Sequence, residues 1–314
     1  MTTEQMRETL TATEALVTPS STPPPSRRRR VGQRIGVGGV IGRVLVWALV
    51  AFNLGLVVWM VLTSFRNSAE YVRNPFALPI PPQVENYVNA WTSGNFGIAF
   101  LNSLVVTLIG STLCVAIAVP AAYALSRSLR RIASPLIGVF VLALGVPGQV
   151  ILIPVYVALA QAQQASGIAL LNSKLGLIIV MVGLNLPFAA FLLTGFFKTL
   201  PGELEEAAAL DGASAVRTFA TVMLPLARSG ITTAFILTAI SVWNETLFSL
   251  VLITEKDERT LPLALMQVLN ASSFNGQDWG QIFAGITLMV FPLLVVYMWM
   301  GRRIVEGMTV GAGK

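Results

Sequence analysis

Apolar residues fall in long blocks along this chain, separated by shorter polar or proline-rich stretches. A helix needs about 20 predominantly apolar residues to cross a bilayer core. Six stretches meet that requirement: Val40–Phe65, Leu101–Ser126, Ser134–Leu159, Leu175–Phe197, Ile231–Ile253 and Ile282–Gly301. The pattern predicts an all-α integral membrane protein with six transmembrane helices. Pro120 falls inside the second block, which lipid tolerates where neighbouring helices satisfy the freed carbonyl. Ahead of the first block, residues 1–36 carry Thr, Ser and Pro and then Arg27-Arg28-Arg29-Arg30. Nothing there can build a core, so the reading is a disordered basic tail before a single membrane domain, residues 37–314. A basic stretch before an apolar run also resembles a signal peptide. The run is longer than an h-region of about 7–15 residues, and it ends in Leu62-Thr63-Ser64-Phe65-Arg66 without a small-x-small cleavage site. An uncleaved first span fits better.

Composition points the same way. The chain is 54% hydrophobic and 11% charged, against about 25% charged in an ordinary soluble domain. The net charge of +6 does not indicate nucleic acid, because the basic residues lie between apolar runs rather than on a polar face. With the N-terminus placed in the cytoplasm, only five of the 21 Lys and Arg residues fall outside: Arg66, Arg73, Lys174, Lys256 and Arg259. That asymmetry predicts both termini in the cytoplasm. There is no His, and the one Cys, Cys114, sits in an apolar run. Disulfides, Cys/His metal sites and Cys–His or Ser–His catalysis therefore lack partners, and Cys114 reads as a small buried hydrophobe. No phosphate-cradling G-x-x-x-x-G-K-[ST] loop occurs, so no ATP hydrolysis by this chain is expected. Two outside segments, Arg66–Phe100 and Thr254–Gln281, are too short for separate domains and read as docking surfaces.

Between the fourth and fifth blocks lies a polar stretch from Lys198 to Arg228. Pro201 suits a helix start, and Glu203, Glu205 and Glu206 crowd the first turn, where the macrodipole favours acids. Leu204, Ala207, Ala208 and Leu210 give that helix a small apolar face, and Gly212 can end it. A second element, Ala215–Met223, leads to Leu224-Pro225. By its chemistry the segment is either an amphipathic interfacial loop or a wedge shaped for a partner's groove.

The spacing is specific. Glu206-Ala207-Ala208, three residues, Gly212, nine residues, Val222, one residue and Leu224-Pro225 resembles the EAA motif of ATP-binding-cassette importer permeases. Only Val222 departs, where that family usually has Ile. Leu186-Pro187-Phe188, Asp211-Gly212-Ala213-Ser214, Trp243-Asn244-Glu245 and Gly307-Met308-Thr309 resemble its carbohydrate branch, the maltose-transporter type. The likeness covers roughly residues 40–314, with a core at about 99–302 and the loop at 198–228. It implies a type I importer permease fold in a bacterial plasma membrane, with a cytoplasmic coupling helix that fits a cleft in the ATPase. It implies a role in coupling for Glu203, Glu206, Ala207, Ala208, Asp211, Gly212, Leu224 and Pro225, with Glu206 pairing a basic ATPase residue. It implies as partners a sister permease in a heterodimer, two ATPase subunits and an extracytoplasmic sugar-binding protein. This chain itself would bind no cofactor, ATP and Mg²⁺ residing on the ATPase.

Glu245 is the one acidic or basic residue expected well inside a span, and such a group should face protein or water. With Trp243 and Asn244 it has chemistry suited to a sugar, or to an interhelical polar contact. Asn185 and Pro187 suggest a bent helix beside the pathway, or packing. The alternatives to a sugar permease are a permease for another small solute and an ion-coupled secondary transporter.

Overall fold

The computed structural model describes residues 37–274 and 278–312. The expected basic tail, with Arg27 to Arg30, lies outside them, as does Lys314. Among the described residues the regular elements are helices, as a chain must arrange in lipid, where backbone polar groups find no water. The chain divides after Leu54 into two compact units. The first helix, α1 (Val37–Ser64), begins in the first unit, and every side chain from Val40 to Leu54 is exposed. Its one polar side chain well inside the apolar run, Asn53, donates back to the Leu49 carbonyl at 2.8 Å.

The second unit is built on α4 (Phe96–Arg127), which runs unbroken through Pro120. Ala99, Ser103, Thr107, Gly110, Ser111, Cys114, Ala118 and Ala122 recur every three or four residues on its buried side. Small side chains at that spacing let neighbouring backbones come close, which is how helices associate without a hydrophobic drive. Against α4 pack α7 (Lys174–Thr199) and α10 (Arg228–Trp243), with α5 (Arg130–Leu144) and α13 (Trp279–Ala312) outside them. Cys114 is wholly buried, as expected of a small hydrophobe.

Among the described residues four helices are long and apolar enough to cross a membrane: α1 from Val40, α4, α7 and α13 to Gly301. The count reaches six when two bent pairs are each taken as one span. Here the structure corrects two expected spans. Ser134–Leu159 is not straight: α5 ends at Leu144 and α6 (Gly148–Ser166) leaves it at 99°. Pro147 causes the break, because it cannot donate to the ladder and disfavours helical geometry in the residue before it. Ile231–Ile253 is interrupted at Asn244–Thr246, between Trp243 and α11 (Leu247–Leu252). The second bent pair instead joins α9 (Ala215–Leu226) to α10 at 72°. Hydropathy runs straight through such breaks because caps and bends carry no hydropathic signature.

At the end of the unit away from Arg127, short helices α2 (Ser68–Arg73), α3 (Glu85–Ser93) and α12 (Leu261–Phe274) organise the two connecting segments. Arg66, counted from sequence only as a charge, is 1% exposed. Its guanidinium donates to the carbonyls of Pro75 at 2.7 Å, Glu70 at 3.2 Å and Asn74, and it lies 5.8 Å from the Tyr71 ring. Asn102 of α4 donates to the Asp257 and Arg259 carbonyls at 2.7 and 3.0 Å, and Lys174 pairs with Glu258 at 2.7 Å. The 254–260 segment is thus fastened to the tops of α4 and α7.

One close approach is directly testable. A Cβ on Gly176 would lie 1.8 Å from the Leu170 carbonyl oxygen, a backbone atom that cannot swing aside. Gly176→Ala is expected to cost about 1–3 kcal/mol, the range for overpacking, seen as a lower unfolding temperature in detergent. Gly183→Ala, in the same helix with nothing within 4 Å, should leave that temperature unchanged or raise it.

Candidate functional site: the 200–228 loop

Helix α7 stops at Thr199, and Leu200 donates its N–H to the Phe197 carbonyl. After Pro201 and Gly202 comes α8 (Glu203–Leu210), with Glu203, Glu205 and Glu206 in its first turn. None of its residues is buried. Two crossed bonds close its far end: Gly212 N–H to the Ala209 carbonyl at 3.0 Å and Ala213 N–H to the Ala208 carbonyl at 2.9 Å. That pairing is the Schellman motif, which places its central residue in the left-handed region. Gly212 has φ +79°, and nothing lies within 4 Å of where its Cβ would be. Glycine is needed there for its backbone angle, not for space.

Ser214 opens α9 by accepting the Arg217 N–H at 3.4 Å. From Phe219 to Met223 the helix widens to π geometry, and the Leu224 N–H reaches back to the Phe219 carbonyl. Pro225 follows and has no N–H to offer the preceding turn. This arm is anchored: Met223 is wholly buried, and Phe219, Val222 and Leu224 pack on a core containing Ala118, Val119, Ala122 and Phe197. Tyr123 of α4 lies between the arms, 4.8 Å from the Phe219 ring and 5.6 Å from that of Phe197.

The loop therefore has a fastened side and an open one. Glu203, Glu206, Ala207, Asp211 and Gly212 are exposed, and Ala208, Leu224 and Pro225 are half-buried. Leu210 is 90% exposed and Val216 77%, two large apolar side chains beside a patch of acids. Sequence reasoning missed the tie beneath them. Arg127, the last residue of α4, donates Nε to Glu205 Oε1 at 2.8 Å and Nη2 to the Leu200 carbonyl at 3.3 Å. Read from sequence, Arg127 was one charge in a topology count and Glu205 one acid in a helix turn. Their opposite charges at two helix ends were the only available signal.

The second group of candidate residues does not form one polar surface. Asn185 and Pro187 lie inside α7, which continues unbroken past both, and Asn185 donates to its own helix at the Met181 carbonyl, 2.8 Å away. Trp243 is buried, edge-on to Phe100 at 5.8 Å, with Nε1 3.4 Å from the Met289 carbonyl. Asn244 is exposed and bonds back to Ile240. Glu245 is not inside a helix: it stands in the break, where Oε1 accepts the Phe248 N–H at 2.8 Å and caps α11. A groove of about 650 Å³ runs between α4, α9 and α10, past Pro120, Phe219, Leu224 and Phe235, and only Thr112 and Thr232 give it polar lining. Among the described residues no three His, Cys, Asp or Glu side chains are grouped to hold a metal.

The family described as "binding-protein-dependent transport system inner membrane component" matches residues 114–310, which include the whole loop. The chain belongs to this family. Such an inner-membrane component is a permease subunit of an importer, and membership implies an ATPase that hydrolyses the ATP and a substrate-binding protein as partners. The diacetylchitobiose uptake system permease protein NgcG of Streptomyces coelicolor is 32% identical over 268 residues, 85% of this chain and 86% of that protein. The trehalose transport system permease protein SugB of Mycobacterium tuberculosis is 31% identical, over 87% of this chain and 98% of its own length. A chain from the crystal structure of a bacterial ABC transporter that imports the acidic polysaccharide alginate superposes with a TM-score of 0.69 at 22% identity. That match covers 90% of this chain and 99% of the other, and establishes the shared permease fold.

Two outcomes follow from this geometry. Gly212→Ala should cost about 1–2 kcal/mol, the penalty for a Cβ in the left-handed region, confined to the loop. Hydrogen exchange of the 203–213 amides should accelerate while the unfolding temperature of the spans holds. Glu245→Ala should lose a helix cap, worth about 0.5–2 kcal/mol, and lower the unfolding temperature. Glu245→Gln keeps an oxygen acceptor and should not.

Proposed function

We propose that this permease subunit passes a short oligosaccharide into the cytoplasm as one half of a heterodimer with a sister permease. Two ATPase subunits, carrying ATP and Mg²⁺, energise the pair, and an extracytoplasmic sugar-binding protein delivers the substrate. The substrate class rests on relatives whose names specify diacetylchitobiose and trehalose. The asymmetry of Lys and Arg supports a topology with both termini in the cytoplasm, which puts the 200–228 loop on the ATPase side.

The observation that carries the mechanism is the two-sided loop. An ATPase cleft can seat α8, because Leu210 and Val216 are exposed on the same loop as the exposed carboxylates Glu203, Glu206 and Asp211. Burying those two apolar side chains supplies contact energy, and the carboxylates select a basic partner surface. Ala207 and Ala208 keep the helix narrow enough for close packing. Movement of the seated helix then reaches the core through the π segment and Met223, which is buried among residues of α4 and α7. Trp243 and Glu245, engaged in packing and capping, serve the bend between α10 and α11 in this reading rather than a sugar.

Purification of the tagged subunit in mild detergent, with partners identified by mass spectrometry, tests the assembly. A sister permease and an ATPase are expected to copurify. Glu206→Lys should put like charge against the basic site, and Gly212→Pro cannot adopt φ +79°. Both variants should reach the membrane and pair with the sister permease, yet lose the ATPase or its substrate-stimulated hydrolysis. Wild-type ATPase retention and uptake in both would show that the loop is not the docking element.

A further inference from the structure

Helix α8 has no apolar root. It buries no residue, and among the described residues Glu205 is its only side chain with a hydrogen bond to another helix. Force applied to α8 can therefore leave it by two routes, along the backbone at its ends or through Glu205. The second route leads to a single guanidinium. Arg127 holds Glu205 through Nε and the end of α7 through Nη2. One turn earlier on the same helix, Tyr123 packs on Phe219 of the π segment with ring centroids 4.8 Å apart. The last turn of α4 thus grips both arms of the loop.

We propose that Arg127 and Glu205 form the latch through which a shift of α8 moves α4, making Arg127 a positioning residue for transport that acts through the coupling loop. The inference rests on the reading of α8 as the ATPase contact. Three properties of the pair support it. Each side chain is about a quarter exposed, at 25% and 22%, and pairs that wet add little to stability. Arginine's planar fork fixes direction as well as distance, because its separate N–H groups serve two acceptors at once. Finally, α4 is the helix on which α7 and α10 both pack, so displacing its end displaces the helices around it. Within the acidic turn the labour is then divided. Glu203 and Glu206 face outward to the partner, and Glu205 faces inward to the core.

The test uses the assembled complex in proteoliposomes, reading solute imported per ATP hydrolysed. Glu205→Gln removes the charge and keeps the shape. It should retain the ATPase and hydrolyse ATP, while solute moved per ATP falls about fivefold or more, the lower end of coupling between distant sites. Arg127→Glu alone should do the same, and the exchanged pair Arg127→Glu with Glu205→Arg should recover most of the loss. A role in folding alone would instead lower the yield of complex and leave the stoichiometry of what survives unchanged. Wild-type stoichiometry in Glu205→Gln, or an exchanged pair no better than the single variants, overturns the latch. Arg127→Lys keeps the charge and loses the fork, and serves if the neutral variant does not assemble. Its stoichiometry should also fall, and a wild-type value there overturns the proposal equally. Failure of the docking reading is separate: it appears as ATPase retained and uptake intact in Glu206→Lys.

Discussion

Helices surrounded by lipid gain nothing by hiding apolar side chains from water, so their association depends on how closely their backbones can approach. In this chain that closeness comes from α4. Its buried side repeats Ala, Ser, Thr, Gly and Cys from Ala99 to Ala122, and α7 and α10 lie against it. Both ends of the second unit are fastened to the same helix. Asn102 fastens the 254–260 segment at one end of α4, and Arg127 fastens the 200–228 loop at the other.

The complementary constraint is that every backbone donor and acceptor must be satisfied within the protein. It explains where the helices break. At Gly145-Val146-Pro147 the proline withholds its donor, and the chain turns by 99°. At Asn244–Thr246 the Ile240 carbonyl accepts from both the backbone and the side chain of Asn244, and Glu245 supplies an acceptor for the Phe248 N–H in the first turn of α11. Polar residues that look costly in an apolar run thus repair the ladder at its interruptions.

The loop meets the same requirements on an open face. Its second arm is anchored by Met223 and the aromatic stack around Tyr123, and its first is closed by the turn at Gly212. A rigid frame with an exposed apolar tip suits a part that must be gripped by another protein and must not collapse onto its own membrane domain. This agrees with membership of a permease family whose members work with an ATPase.

Membrane placement, the all-α class and the family were legible in the sequence, because each is written in local or evenly spaced signals. Twenty-residue apolar runs report the solvent, and the spacing from Glu206 through Gly212 to Pro225 reports the loop. The left-handed turn at Gly212 was legible for the same reason, since its hydrogen bonds join residues five apart or fewer. Tertiary structure alone decided what depends on which helix ends meet. The pairing of Arg127 with Glu205 spans 78 residues, and the burial of Arg66 depends on carbonyls that a folded connecting segment presents. The reassignment of Glu245 from a span interior to a helix cap required knowing that α10 stops at Trp243. Hydropathy averages over a window and cannot register where one helix stops and a side chain caps the next. Contacts of this kind arise only when packing brings distant ends of the chain together.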